Sequence, residues 1–291
     1  MSNAYLGWFT TDKTFPFFIQ YGGHDEDTYL HRHADFSELV IVLSGNAKHI
    51  VNNEESFIKK GNAFVINGTT EHGYKEPHDF KICNIMYRPE MLEAIGPDLR
   101  TSNGFQALFV LQPLYSDRRA HSDKLSLPIA GVEHAAVLVS TMVNEYESKQ
   151  QGRQTMLIAR FMELVVYLCR HYDTQSREAP DSLSHLANAV SYMEDHYLEA
   201  LSLEQIAVRS GVSVRHLNRM FKAYYQTTPV AYLQSLRLER SRMLLKHSDL
   251  TVTQISYECG FNDSNYFTRQ FTKAYGMSPK AYRQLKANIQ S

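Results

Sequence analysis

The sequence predicts an α+β chain of more than one domain. A small antiparallel β-barrel with flanking helices comes first, followed by an all-α domain of two helix-turn-helix units joined by a linker helix. Three observations predict it. Short β-rich runs broken by turn residues crowd residues 15–90. Two long apolar stripes at helical spacing follow them. The C-terminal third then repeats itself at an offset of 49 to 50 residues. A length of 291 residues fits two domains of about 150 residues each.

The strands come first. ELVIVLSG is an apolar, β-branched run that ends at Gly45. KHIV then meets Asn52-Asn53, a hairpin signal because Asn tolerates positive φ. SFIKKG, AFVI and FKICNIMY continue as strands, with Gly61 and Gly68 as punctuation. Closely spaced short strands of this kind build a barrel or a sandwich. Alternation along FKICNIMY turns either Lys81, Cys83, Ile85 and Tyr87 or Phe80, Ile82, Asn84 and Met86 inward, and the pattern leaves both faces open. No role is assigned to Ser2-Asn3-Ala4.

Residues 132–149 and 154–172 read as helices. Val132, Ala135, Val139, Met142 and Tyr146 line one face of the first, and Leu157, Phe161, Leu164, Val165 and Leu168 one face of the second. Such stripes either pack on the barrel or form a dimer interface. TQSREAPDSLS, residues 174–184 with Pro180, is the expected linker. It separates a domain at 5–173 from one at 185–291.

In the C-terminal repeat, Ile206 and Gly211 match Ile255 and Gly260, and Phe221, Pro229 and Tyr232 match Phe271, Pro279 and Tyr282. Each unit reads as helix, tight turn, helix. Ser202 with Gln205, and Thr251 with Gln254, are capping boxes at matching places. Gly211 and Gly260 stand where the turn needs positive φ, and Ser213 and Asp263 can cap the second helices. The polar face carries Arg215, His216, Asn218, Arg219 and Lys222 in the first unit, and Ser264, Asn265, Thr268, Arg269 and Lys273 in the second. Arg matches guanine and Asn matches adenine on major-groove edges. PVAYLQSLRLERSRMLLKHS reads as one helix between the units, a rigid spacer about 28 Å long.

Charge agrees with a division of labour. Residues 1–180 hold 17 Lys and Arg against 22 Asp and Glu, and residues 181–291 hold 13 against 9. A basic second half is the half that meets a polyanion. Cys83, Cys169 and Cys259 lie far apart and form no C-x-x-C pair, which reads as free thiols in a reducing cytoplasm. No secretion signal or apolar span of membrane length is read.

Residues 185–286 resemble the DNA-binding domain of the AraC/XylS family of bacterial transcription regulators. The likeness lies in EQIAVRSGVSVRHLNRMF, then Pro229 and Tyr232, LRLERSRMLL, and ISYECGFNDSNYFTRQFTKAYGMSPKAYR. It implies promoter DNA as a partner, with RNA polymerase and a second copy of the chain beside it. By matching position it places base readers on Arg215, Asn218 and Arg219, and on Ser264, Asn265 and Arg269.

The first half carries HRHADFSE, with His31, His33 and Glu38, and later His72. This resembles the two cupin motifs, the first complete. In the second, Asn67, Thr69 and Glu76 stand where Pro, Gly and Asn are expected. His31, His33, Glu38 and His72 are a ligand set for a first-row metal with open positions, or they line a metal-free pocket that hydrogen-bonds an effector. The departures in the second motif favour the metal-free pocket, with no cofactor and no catalytic residue. HADFSELVIVLSGNAKHIVN, NIMYRPEML and CGFNDSNYF are similar to segments of the L-rhamnose operon activators, which implies a monosaccharide effector and an activator. A metal-dependent cupin enzyme with an appended DNA-binding domain, and a repressor of the same architecture, are the rival readings.

Overall fold

The structure is a computed structural model that describes residues 2–10, 12, 14–68, 70–112, 124–178 and 182–287. Thr69 and Pro180 therefore lie outside the described residues. The chain forms two compact units, divided between Ala187 and Asn188.

The first unit is built on one eight-stranded sheet. Its strands are β1 (Ser2–Ala4), β2 (Phe17–His24), β3 (His31–His33), β4 (Ser37–Val51), β5 (Glu54–Lys59), β6 (Asn62–Ile66), β7 (His72–Tyr87) and β8 (Leu125–Ser126). They run in the order β1-β3-β7-β4-β6-β8, with β2 added on β7 and β5 on β4. Residues Asn52 and Asn53 take φ of 46° and 68° and close the β4–β5 hairpin as expected.

Two expectations for the strands are corrected. Gly45 does not end a strand. β4 continues through it, with register shifts against β7 between Val42 and Lys48. At φ 66° a Cβ on Gly45 would lie 2.1 Å from the His78 carbonyl oxygen, so this bulge requires glycine. The N-terminal Ser2-Asn3-Ala4 also has a role: it pairs in parallel with His31–His33, a backbone interaction that no side-chain pattern announces.

Phe80 and Ile82 pack inward with Val40, Val42, Ala47, Ile58, Phe64, Ile66 and Tyr74, which settles the inner face of FKICNIMY. The opposite face is buried too. Tyr87 lies 4.9 Å from Phe161, and Phe17 lies 5.7 Å from the same ring. Phe161 belongs to α2 (Arg153–Glu178), which packs beside α1 (Ile129–Glu147). Both apolar stripes therefore cover the barrel, and each fully buried ring or branched side chain there contributes about 1.5–3 kcal/mol.

The expected linker at 174–184 is helical over most of its length. α2 runs through Glu178, and α3 (Ser182–His196) begins four residues later. Its polar composition makes a solvated helix end: Thr174 Oγ1 donates back to the Arg170 carbonyl at 3.1 Å.

The second unit is helical: α4 (Leu203–Arg209), α5 (Val214–Tyr225), α6 (Pro229–His247), α7 (Val252–Glu258), α8 (Ser264–Tyr275) and α9 (Pro279–Ala287). Both capping boxes are formed, and Gly211 and Gly260 take φ of 69° and 78° in the two turns. Ser213 accepts from His216 N–H and Asp263 from Tyr266 N–H at the starts of α5 and α8. Ile255, Phe261, Phe267 and Phe271 form one core with Leu238 and Leu245 of α6. Arg237 of α6 donates to the carbonyls of Tyr197 at 2.7 Å and Glu199 at 2.6 Å. A Cβ on Gly260 would meet Arg237 Nε at 3.0 Å, so the second turn is packed against the brace of the first.

Candidate effector pocket and nucleic-acid interface

The barrel brings together all four residues expected there. His31 and His33 extend from β3, Glu38 starts β4 and His72 starts β7, with His31 directly opposite His72 in register. His33 Nε2 and His72 Nε2 are 3.1 Å apart, and each lies 3.7 Å from Glu38 Oε2. A ring nitrogen from each of His31, His33 and His72 falls within a span of 4.8 Å. His33, Glu38 and His72 are buried, and His31 is half-buried. An open cleft of about 600 Å³ reaches His33 between Arg32, Asp35, Asn67 and Glu90.

Burial sets the charge of this group. It pushes the Glu38 carboxyl up to about 8 and the His33 imidazole down to about 3, with His31 adding to the latter. His72 and His49 are held well below the usual imidazole range for the same reason. Burial thus favours the neutral forms of Glu38, His33, His49 and His72, which leaves a set of uncharged donors and acceptors.

The donor set fits a divalent first-row ion: three imidazole nitrogens and a carboxylate converge. The supporting shell is incomplete, however. His31 Nδ1 lies 3.1 Å from the Tyr29 carbonyl, whereas Nδ1 of His33 and of His72 has no partner among the described residues. Histidines that hold a metal usually have the second ring nitrogen anchored.

Sequence reasoning missed the inner wall. His49 stacks on Tyr74 at 5.3 Å and lies 5.8 Å from His72. Both ring nitrogens of His49, the Tyr74 hydroxyl and Asn84 Oδ1 are buried without partners among the described residues. Lys124 sits 5.6 Å over the Phe64 ring and donates to Ser56 Oγ. The signal for His49 was alternation along KHIV, but the bulge at Gly45 shifts that parity. Inward residues of β4 are even-numbered before the bulge (Val40, Val42) and odd-numbered after it (Ala47, His49).

In the second unit, α5 and α8 expose the predicted faces. Arg215, Arg219 and Lys222 are exposed on α5, as are Asn265, Arg269 and Lys273 on α8, while His216, Asn218, Ser264 and Thr268 are half-exposed. Asn218 Nδ2 donates to the Val214 carbonyl at 2.9 Å, and Thr268 Oγ1 donates to the Ser264 carbonyl at 2.9 Å. These two equivalent residues brace their own helices. Arg219 Nη2 is 3.1 Å from His216 Nδ1.

Two such units on one connecting helix, following a strand-rich domain in the chain, define a DNA-binding protein of helix-turn-helix type. A helix-turn-helix domain model matches residues 206–285, and a cupin domain model matches residues 17–85. The chain belongs to the AraC/XylS family of transcription regulators. It is 33% identical over 257 residues to the HTH-type transcriptional activator RhaS of Escherichia fergusonii, covering 87% of this chain and 86% of that protein. It is 31% identical over 259 residues to the HTH-type transcriptional activator RhaR of Mannheimia succiniciproducens, with the same coverage. A solved AraC-type DNA-binding regulator from Chromobacterium violaceum is 38% identical, with a TM-score of 0.35, over 36% of this chain and 95% of that one. No helix among the described residues is long and apolar enough to cross a membrane.

Proposed function

We propose that the chain is a transcription activator that binds promoter DNA through α5 and α8 and responds to a monosaccharide held at the barrel group His31, His33, Glu38 and His72. The observation that carries the sensor half is the convergence of these polar groups in the barrel, three of them buried. Buried polar atoms without partners are costly, and a ligand rich in hydroxyls can both donate to and accept from them. The naming of RhaS and RhaR relatives as activators supports the same reading. The unanchored Nδ1 atoms of His33 and His72 favour a metal-free pocket over a catalytic centre. A divalent ion bound there would be held by His31, His33, His72 and Glu38 and would polarise a sugar hydroxyl. Sugar binding biases the DNA-reading units only through a difference in affinity between two states of the chain. The chain acts as a homodimer beside RNA polymerase.

The test is calorimetric titration of metal-assayed protein with a panel of monosaccharides, followed by promoter-DNA binding with and without the best sugar. One sugar binds the metal-free protein. His33→Ala blunts the sugar response at least tenfold and leaves sugar-free DNA affinity within twofold. Stoichiometric metal with substrate turnover sinks the reading.

A further inference from the structure

The inner wall of the barrel carries a group that the mouth residues do not explain. From the mouth inward, His72 is followed by His49 at 5.8 Å, and His49 by Tyr74 at 5.3 Å and Phe64 at 4.7 Å. Lys124 lies 5.6 Å over the same Phe64 ring. His49 and Tyr74 are only 2% and 3% exposed, yet no polar atom of either side chain has a partner among the described residues. Lys124 is half-buried, and its one hydrogen-bond acceptor among the described residues is the neutral Ser56 hydroxyl. No carboxylate among the described residues pairs with it.

A buried ammonium is ordinarily matched by an anion, because desolvation of an isolated charge is costly. A cation–π contact offsets only about 0.5–2 kcal/mol of such a cost. Burial lowers the Lys124 pKa only to about 8, so the group is still cationic at neutral pH. The free N–H bonds of Lys124, the Tyr74 O–H and one His49 N–H are all donors. A set of donors around one cation is complementary to an oxyanion.

We propose that the barrel takes a sugar derivative bearing an anionic oxygen group, with its hydroxyls at His31, His33 and His72 and its anionic end at Lys124, His49 and Tyr74. This rests on the sugar-sensor reading and narrows it from neutral sugars to sugar acids or sugar phosphates. Lys124 is then the specificity-determining residue of the pocket.

The experiment is calorimetric titration of the full chain with matched sets. These are D-glucose, D-glucuronate and D-glucose 6-phosphate; D-galactose and D-galacturonate; and L-rhamnose and L-rhamnonate. One anionic member is expected to bind at least about tenfold more tightly than its neutral parent, the worth of one charge-assisted contact. A response in the acid arms identifies a carboxylate, and one in the phosphate arm a phosphoryl group. Lys124→Met is expected to abolish the at-least-tenfold preference for the anion over its neutral parent. Lys124→Gln is the second variant, and the preference must collapse in whichever of the two melts like the wild-type protein. Neutral sugars that bind as well as their anions, with no effect of either variant, overturn the anion site and leave the sugar sensor standing. If no member binds the wild-type protein, both readings fall.

Discussion

The barrel interior and the helix-turn-helix units use burial in opposite ways. In the helical unit, Ile255, Phe267 and Phe271 are fully buried and purely apolar, and the helix starts are satisfied by Ser202, Ser213, Thr251 and Asp263. Its chemistry, Arg215, Arg219, Asn265 and Arg269, stands exposed on that scaffold. In the barrel, His33, Glu38, His49 and His72 occupy buried positions, and several of their polar atoms have no partner. In the proposed reading, a large polyanion would be met by residues on a rigid exterior, and a small molecule by polar groups that have given up water. The helical unit can therefore be well optimised for stability, while the barrel bears a standing cost that the proposed ligand would relieve.

The largest expected effect breaks the helical side of that comparison. Phe271→Ala removes a fully buried ring from the core around Phe267 and Tyr282 and is expected to cost about 3–5 kcal/mol. Denaturant unfolding of the full chain, with helicity as the readout, checks it. Glu38→Gln, at an equally buried position of the barrel, is expected to cost nothing at pH 8 in chelator-treated protein. A large loss there would show that the Glu38 carboxylate stabilises the barrel rather than straining it.

The next effect separates the two reading helices. Arg219 and Arg269 are repeat equivalents, and each Ala substitution is expected to weaken specific DNA binding by about 1–3 kcal/mol. Their surroundings differ. Arg219 is held by His216, whereas Tyr266 occupies the matching place in α8 and accepts from Gln234 at 2.5 Å. Arg269 has no side-chain partner among the described residues. Asn218→Ala and Thr268→Ala are expected to lose less, because those side chains already bond their own backbone. Titration of promoter DNA at one fixed salt concentration ranks the four. Equal losses would mean that Asn218 and Thr268 leave their carbonyls to reach bases.

The same contrast explains what the sequence revealed. Caps, turn glycines and apolar faces are local signals, so the helical units were legible residue by residue, down to the pairing of Ser202 with Gln205. The mouth of the barrel was legible because His31, His33 and Glu38 are close in sequence. The inner wall was not. His49, Tyr74 and Lys124 come from three separate stretches, and the bulge at Gly45 inverts the alternation that would have turned His49 inward. The linker was misread because a solvated helix end has the composition of a loop, and the strand at Ser2–Ala4 because parallel pairing rests on backbone alone.

The smallest expected effect is a pH profile in metal-free protein, followed through Trp8, the single tryptophan, which lies in the barrel unit. The folded Glu38 carboxyl keeps its proton up to about 8, whereas the unfolded chain releases it near 4.5. The folded state therefore binds more protons between these values, and stability falls as pH rises through that window. His33 works in the other direction. Its folded pKa of about 3 lies below the ordinary 6.5, so the unfolded chain binds more protons in between, and stability falls as pH drops from 6.5 toward 3. His72 and His49 are shifted in the same direction as His33. Three histidines outweigh one carboxyl on the acid side, and Glu38 acts alone among these four between 6.5 and 8. Barrel stability is thus expected to peak near pH 6.5 and to lose about 1 kcal/mol over the next pH unit. Glu38→Gln should flatten the alkaline limb and leave the acid limb intact. An alkaline limb that survives the substitution would place the titrating group elsewhere than in this cluster.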